Sequence, residues 1–252
     1  MTIDLVQAAI ENGVLVLKLN RPAKLNALTM DMYRALNEGF DQASLSDEIG
    51  ALLIVGNGDH FSAGNDMKDF LTMATGAEAL DPETLPVVGL IRRLVSFEKP
   101  LVVAVQGQAV GIGLTLTLHA DFVYLADTAV ISAPFVELGL VPEAGSSMLL
   151  PQKVGSLRAS EILLAAKALD AATALTWGLA NEVLPAADLH EAAFGTAQML
   201  AKKPREAMTL SKKLMCYDRE ALSNRVDAEI EIFFTRLRSP EAQAAFSSFL
   251  SR

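Results

Sequence analysis

The chain has 252 residues, a formal net charge of −9 and a pI of about 4.9; 51% of its residues are hydrophobic and 20% charged. That is enough chain for one large domain, or a domain with an appendage, and a sizeable core. The acidic balance argues against a nucleic-acid binder, which carries a basic footprint, and apolar runs such as Leu101–Val105 fall far short of the roughly 20 residues that cross a bilayer. The start, MTIDLVQAAIENG, shows no secretory pattern, and the end, Phe249-Leu250-Ser251-Arg252, is not the Ser-Lys-Leu peroxisomal address. One cysteine, Cys216, leaves no internal disulfide and fits a reducing, cytoplasmic setting. A polyanionic small molecule stays compatible with the charge, because local potential decides that case.

In chain order, residues 3–20 read as a hairpin: IDLVQAAI and VLVLKLN flank Glu11-Asn12-Gly13, and Asn-Gly is a strong hairpin signal. Residues 30–44 read as a helix with Tyr33, Leu36, Phe40 and Ala43 on one face and Thr29 as its cap. Ala51–Val55 is a short apolar strand, Gly56–Gly64 a polar loop, and a helix starts from Asn65. Residues 72–90 lack a clean period and contain Gly, Pro and Thr; part of them reads as a mobile loop or short helix over a site. Leu101–Gln106 is a buried strand, Gly111–Ala120 a helix and Phe122–Leu125 another strand. This alternation favours an α/β core with parallel strands. From Ser156 the chain reads as helix, interrupted by one strand at Leu179–Leu184, and two further helices meet around Pro240.

The three histidines, His60, His119 and His190, have no zinc spacing, so no metal site is expected. Neither a G-x-S-x-G elbow nor a G-x-x-x-x-G-K-[ST] loop occurs. The glycines Gly107, Gly111 and Gly113 are spaced differently from the dinucleotide fingerprint. Two loops stand out together. FSAGND (Phe61–Asp66) and GQAVGIG (Gly107–Gly113) each follow a buried strand and lead into a helix. Each can leave a free N–H at a helix start, and two such groups aimed at one point make an oxyanion hole.

FSAGND, the segment GQAVGIGLTLTLHADFVYLADTAVISAPFVELGLVPEAGSS and the earlier RPAKLNALT together resemble the crotonase (enoyl-CoA hydratase/isomerase) family, over roughly residues 3–250. The resemblance implies a spiral of ββα units over residues 1–195 as an acyl-CoA-binding core. It also implies a helical C-terminal part, 196–252, that assembles a homotrimer or a dimer of trimers. It implies an acyl-CoA thioester substrate, with coenzyme A as part of that substrate and no separate cofactor. The thioester oxygen is held by the backbone N–H groups of Asn65 and Ile112. A CoA groove is implied along Lys24, Leu25, Ala27, Ala63, Asp66 and Met67, with Lys24 and Arg21 as local positive charge.

Hydratases of this family carry two glutamates; aligned on the glycines and Asp121, those positions are Thr115 and Phe135 here. The acid that does occur is Glu143, where peroxisomal-type 3,2-enoyl-CoA isomerases of the family carry a single catalytic glutamate. The stretches GNDMKDF and GQAVGI also look like that branch. The expected reaction moves a C3–C4 double bond to C2–C3, with Glu143 taking the proton from C2 and returning it at C4. An apolar wall of Phe135, Val136 and Leu140 is expected to raise the pKa of that acid. Glu137 reads as a structural or interface charge, and Asp66 as a helix cap. The alternatives are an epoxide-CoA ring isomerase, an enoyl-CoA hydratase, and a non-catalytic CoA- or RNA-binding relative.

Overall fold

A computed structural model describes residues 4–75, 81–215 and 218–250; Cys216 and the middle of the 72–90 segment lie outside the described residues. The hairpin forms as expected. Strands β1 (Val6–Glu11) and β2 (Val14–Leu19) pair antiparallel. Asn12 and Gly13 take φ of 51° and 80°, the positive pair that a two-residue turn matched to strand twist requires.

Strands β3 (Ala51–Gly56), β4 (Leu101–Val105), β6 (Phe122–Ala126) and β9 (Glu182–Leu184) join β2 in parallel, giving a six-stranded sheet of order β1-β2-β3-β4-β6-β9. A second sheet of order β5-β7-β8 holds β5 (Gln108–Val110), β7 (Val130–Ser132) and β8 (Leu169–Asp170). The chain steps from one sheet to the other and then into a helix, repeatedly. After β4 comes β5 and α4 (Ile112–Thr115); after β6 comes β7 and, further on, α5 (Ser146–Val154). After β3, a bridge between Ser62 and Ala109 extends the small sheet before α2 (Met67–Thr75). This is the ββα spiral of the crotonase fold.

The apolar runs of the central strands follow from burial on both faces. Leu52 and Ile54 of β3 face one core with Leu101, Val103 and Val105, against α1 (Met30–Leu45) and α3 (Pro86–Ser96). Leu53 and Val55 face the other with Val102 and Ala104, against α8 (Leu189–Ala201). Ala193 and Ala197 of α8, both fully buried, let that helix lie close on the strands.

Helix α1 keeps the predicted face: Tyr33, Leu36, Phe40 and Ala43 are buried, and Thr29 Oγ1 accepts from Met32 N at 3.3 Å. One expectation is sharpened and one needs correction. The segment 72–90, read in part as a mobile loop or short helix, ends inside a buried helix, α3, that runs on to Ser96; Pro86 opens it at a position where the missing N–H costs nothing. The boundary at 195/196 falls inside α8, whose packing on β3, β4 and β6 makes it part of the core.

Helices α6 (Ser156–Leu163), α7 (Ala171–Thr176), α9 (Arg205–Met215), α10 (Arg219–Leu237) and α11 (Pro240–Leu250) follow. Here α10 packs on α2, α3 and α5, and α11 on α2, so the tail closes over the core of its own chain. No helix is long and apolar enough to cross a membrane among the described residues. Thr29→Ala should lower unfolding free energy by about 1 kcal/mol, and Thr29→Ser should restore most of it, as read by urea denaturation.

Candidate active site

Three loops are woven together by backbone bonds. Ser62 N donates to Gln108 O at 3.0 Å and Val110 N to Ser62 O at 2.9 Å, which ties the two glycine loops. Ala63 N donates to Leu25 O at 2.8 Å, Leu28 N to Gly64 O at 2.8 Å and Asp66 N to Leu28 O at 2.9 Å, which ties both to the 21–28 loop. Gly64 has φ of 88°, and a Cβ there would lie 2.8 Å from Val110 O, so the approach of the loops needs glycine.

The bridge between Leu28 and Asn65 has a consequence for Asn65 itself. In a parallel bridge the flanking groups, Gly64 O and Asp66 N, make the bonds, and the N–H of Asn65 points to the other side. Ile112 is the first residue of α4, where an N–H has no partner within the helix. Neither Asn65 N nor Ile112 N donates to a protein acceptor among the described residues. The Asn65 side chain is held in turn, since the buried Tyr33 hydroxyl donates to its Oδ1.

Glu143 is 5% exposed and follows the VP of LGLVPEAG. Its Oε1 accepts from Thr115 Oγ1 at 2.9 Å. It faces a narrow cavity walled by Phe70, Val87, Val88, Ile91, Ile230, Phe233 and Phe234, in which it is the one ionisable group. Burial pushes its pKa up to about 8, against the Thr115 hydrogen bond and with help from the charge of Glu229. Desolvation raises the Tyr33 hydroxyl well above its ordinary value too, and the charge of Glu143 adds to this, so Tyr33 stays a donor.

The expected wall is corrected here. Val136 is 48% exposed and Glu137 exposed; Phe135 and Leu140 are buried but lie outside the lining of this cavity, although Phe135 is the ring nearest Gly111. The wall comes instead from α2, α3 and α10. Sequence reasoning also missed Thr115 as a partner of the acid, and Tyr33 as the anchor of Asn65. The resemblance flagged Thr115 only as a missing glutamate, yet its hydroxyl fills the role of donor to the acid that remains.

In the groove, Lys24 and Leu25 are exposed, and Ala27, Ala63 and Met67 half-buried. Leu25 and Asn26 hold φ of 51° and 53°. The Asn26 amide fixes them by donating to Asn57 O at 2.9 Å and His60 O at 2.7 Å. Arg21 is not a free cation: it pairs with Asp66 at 2.7 Å and donates to Ala27 O at 3.0 Å. Asp66 is committed as well, as the cap of α2, with Oδ1 accepting from Lys68 N at 2.9 Å. Its pKa lies below the usual carboxylate value, because the Arg21 bond and the helix N–H groups outweigh its burial. Among the described residues no cluster of His, Cys, Asp or Glu could hold a metal.

With that geometry, the model of the family described as enoyl-CoA hydratase/isomerase matches residues 9–252. The chain belongs to the enoyl-CoA hydratase/isomerase family. It is 35% identical over 244 residues to the enoyl-CoA delta isomerase 2 of Rattus norvegicus, across 96% of this chain but 62% of that protein. It is 33% identical over 255 residues to the 1,2-epoxyphenylacetyl-CoA isomerase of Escherichia coli K12, across 99% of this chain and 96% of the relative. The solved structure of Pseudomonas aeruginosa OdaA superposes with a TM-score of 0.93 at 40% identity, across 99% of this chain and 100% of that one. The chain thus spans a little under two thirds of the length of the delta isomerase it matches.

Because Glu143 is neutral in the fold up to about pH 8 against an ordinary 4.5, its contribution to stability is full below pH 4.5 and lost as pH rises through 8. Glu143→Gln should therefore melt close to the wild type at pH 4 and above it, by a growing margin, from pH 5 to pH 8.5. A constant difference across that range in thermal melts would contradict the burial argument.

Proposed function

We propose that this protein is an acyl-CoA isomerase that converts a 3-enoyl-CoA to a 2-enoyl-CoA. The observation that carries the reading is the Glu143 carboxyl, buried at an apolar cavity and hydrogen-bonded to Thr115 of α4, the short helix whose first residue, Ile112, keeps an unpaired N–H. Carboxylate Glu143 takes a proton from C2, and the electron pair shifts into the thioester, forming an enolate. The N–H groups of Asn65 and Ile112 stabilise the enolate oxygen. Collapse of the enolate moves the double bond to C2–C3, and Glu143 returns the same proton to C4. Such a carrier works best with a pKa near the operating pH, and about 8 meets that condition. The apolar wall slows exchange of the proton with water.

Hydration asks for a second group to activate water, and Thr115 and Phe135 stand where the family's hydratases carry acids. The thioester is the expected substrate. Its CoA portion runs along Lys24, Leu25, Ala27, Ala63 and Met67, with Lys24 as the available cation. Arg21 and Asp66 support the groove by pairing with each other. The shuttle asks for no separate cofactor, since CoA arrives with the substrate. A cytoplasmic homotrimer or dimer of trimers completes the reading, with no nucleic-acid or membrane partner. The full-length match to an epoxide-CoA isomerase favours a second reading, ring isomerisation of an aromatic epoxide-CoA at the same oxyanion site.

Glu143→Gln should lower kcat on 3-enoyl-CoA by about 10²–10⁴ with KM little changed; unimpaired turnover would rule out the assignment. Side-by-side assays of 3-enoyl-CoA, crotonyl-CoA and an epoxide-CoA separate the readings, and fastest turnover of the first is expected. With the wild type, kcat/KM should climb with pH and level off near pH 8, because the base must be ionised to start. A plateau already reached at pH 5.5 would contradict it.

A further inference from the structure

Glu143 opens a tight turn closed by one backbone bond, Ser146 N donating to Glu143 O at 3.0 Å. Ala144 has φ of 57° and Gly145 φ of 72°, two successive left-handed residues. For alanine that conformation costs roughly 1–2 kcal/mol. Helix α5 begins directly after, and its N-cap residue is Gly145, with no side chain to satisfy the first N–H groups. The turn is gripped from two other elements as well. His119 Nε2–H donates to Ala144 O at 2.7 Å. From α10, the Glu229 carboxylate accepts from Gly145 N at 2.6 Å and from Ser147 N at 3.0 Å.

Glu229 is 6% exposed, a second buried carboxylate that the proton shuttle does not use. Its helix lies close on the turn: a Cβ on Gly145 would lie 2.6 Å from Leu222 Cδ1. Ile230 and Phe233, on the same helix, line the cavity of Glu143. One helix therefore supplies part of the wall around the acid and the clamp on its backbone.

We propose, on the reading of Glu143 as the proton-shuttling acid, that Glu229 is a positioning residue which clamps the Ala144–Gly145 turn and so holds the Glu143 carboxyl at the reacting carbons. Its negative charge acts on Glu143 as well and disfavours ionisation there. The other groups facing the pair are the Thr115 hydroxyl from α4, the neutral Tyr33 hydroxyl from α1 and Arg225 on α10, whose charge acts on Glu229. His119 is neutral, its pKa lowered to about 4 by burial. Asp69 of α2 acts on Tyr33. Glu229 is the anion that acts on Glu143 among the described residues, so Glu143 should ionise at lower pH once that charge is removed.

The test compares wild type, Glu229→Gln and Glu229→Asp by steady-state kinetics and by NMR of protein labelled with ¹³C-carboxyl glutamate, Glu143→Gln identifying the Glu143 signal. In Glu229→Gln, kcat should fall about 10–100-fold with KM nearly unchanged, and the Glu143 midpoint should move to lower pH. Glu229→Asp keeps the charge but shortens the clamp; its midpoint should stay near wild type while kcat falls. Wild-type kcat with an unmoved midpoint in Glu229→Gln overturns the proposal. If Glu229→Gln does not fold, wild-type kcat in Glu229→Asp overturns it. Should the wild type turn over no acyl-CoA, the reading of Glu143 fails, whereas the NMR midpoints still decide whether Glu229 controls that carboxyl.

Discussion

A carboxyl group buried without a cation is the constraint on which this site depends. Ionised carboxylates resist burial in an apolar cavity, and a counter-ion or several donors normally pay the penalty. Glu143 has one neutral donor, the Thr115 hydroxyl, and an apolar wall. The group answers by holding its proton to about pH 8. The wall therefore sets the proton affinity of this carboxyl. Phe70 meets Phe233 edge-on with ring centroids 6.0 Å apart, and Phe246 of α11 backs Phe70 at 6.2 Å, so the C-terminal helices help to build the apolar wall.

The other half of the site rests on backbone. Parallel bridges between loops use every second residue's neighbours, which leaves one N–H turned outward, and Asn65 is that residue. Glycine at 64 allows the loops to meet, and the Tyr33 hydroxyl on the Asn65 amide limits how the peptide can rotate. Charges near the groove are mostly spent on structure. Arg21 and Asp66 hold each other and the start of α2, whereas Lys24 is exposed at the groove.

Much of this was legible in advance where the signal was local. Asn12-Gly13 marked the hairpin, Thr29 the start of α1, and the spacing of Tyr33, Leu36 and Phe40 its buried face. Helix α3 was hidden because Pro82, Pro86 and Gly89 break the look of a helix whose apolar face is nonetheless regular: Val87, Leu90, Ile91 and Leu94. Strands β5, β7 and β8 have two or three residues each, too few for any period to show. The wall of Glu143 was assigned to its sequence neighbours, but it comes from residues some 50–75 positions before the acid and about 90 after it.

By itself, the sequence determined the order of elements, the two glycine loops, the single acid at Glu143 and the absence of acids at 115 and 135, since these are properties of residue type and local spacing. Only the tertiary structure decided the surroundings of Glu143. Its burial, its Thr115 partner, the α10 wall and the Glu229 clamp all join residues far apart in the chain. The physical reason is that a carboxyl's proton affinity reports its surroundings, and those exist only once α10 has folded back over the core.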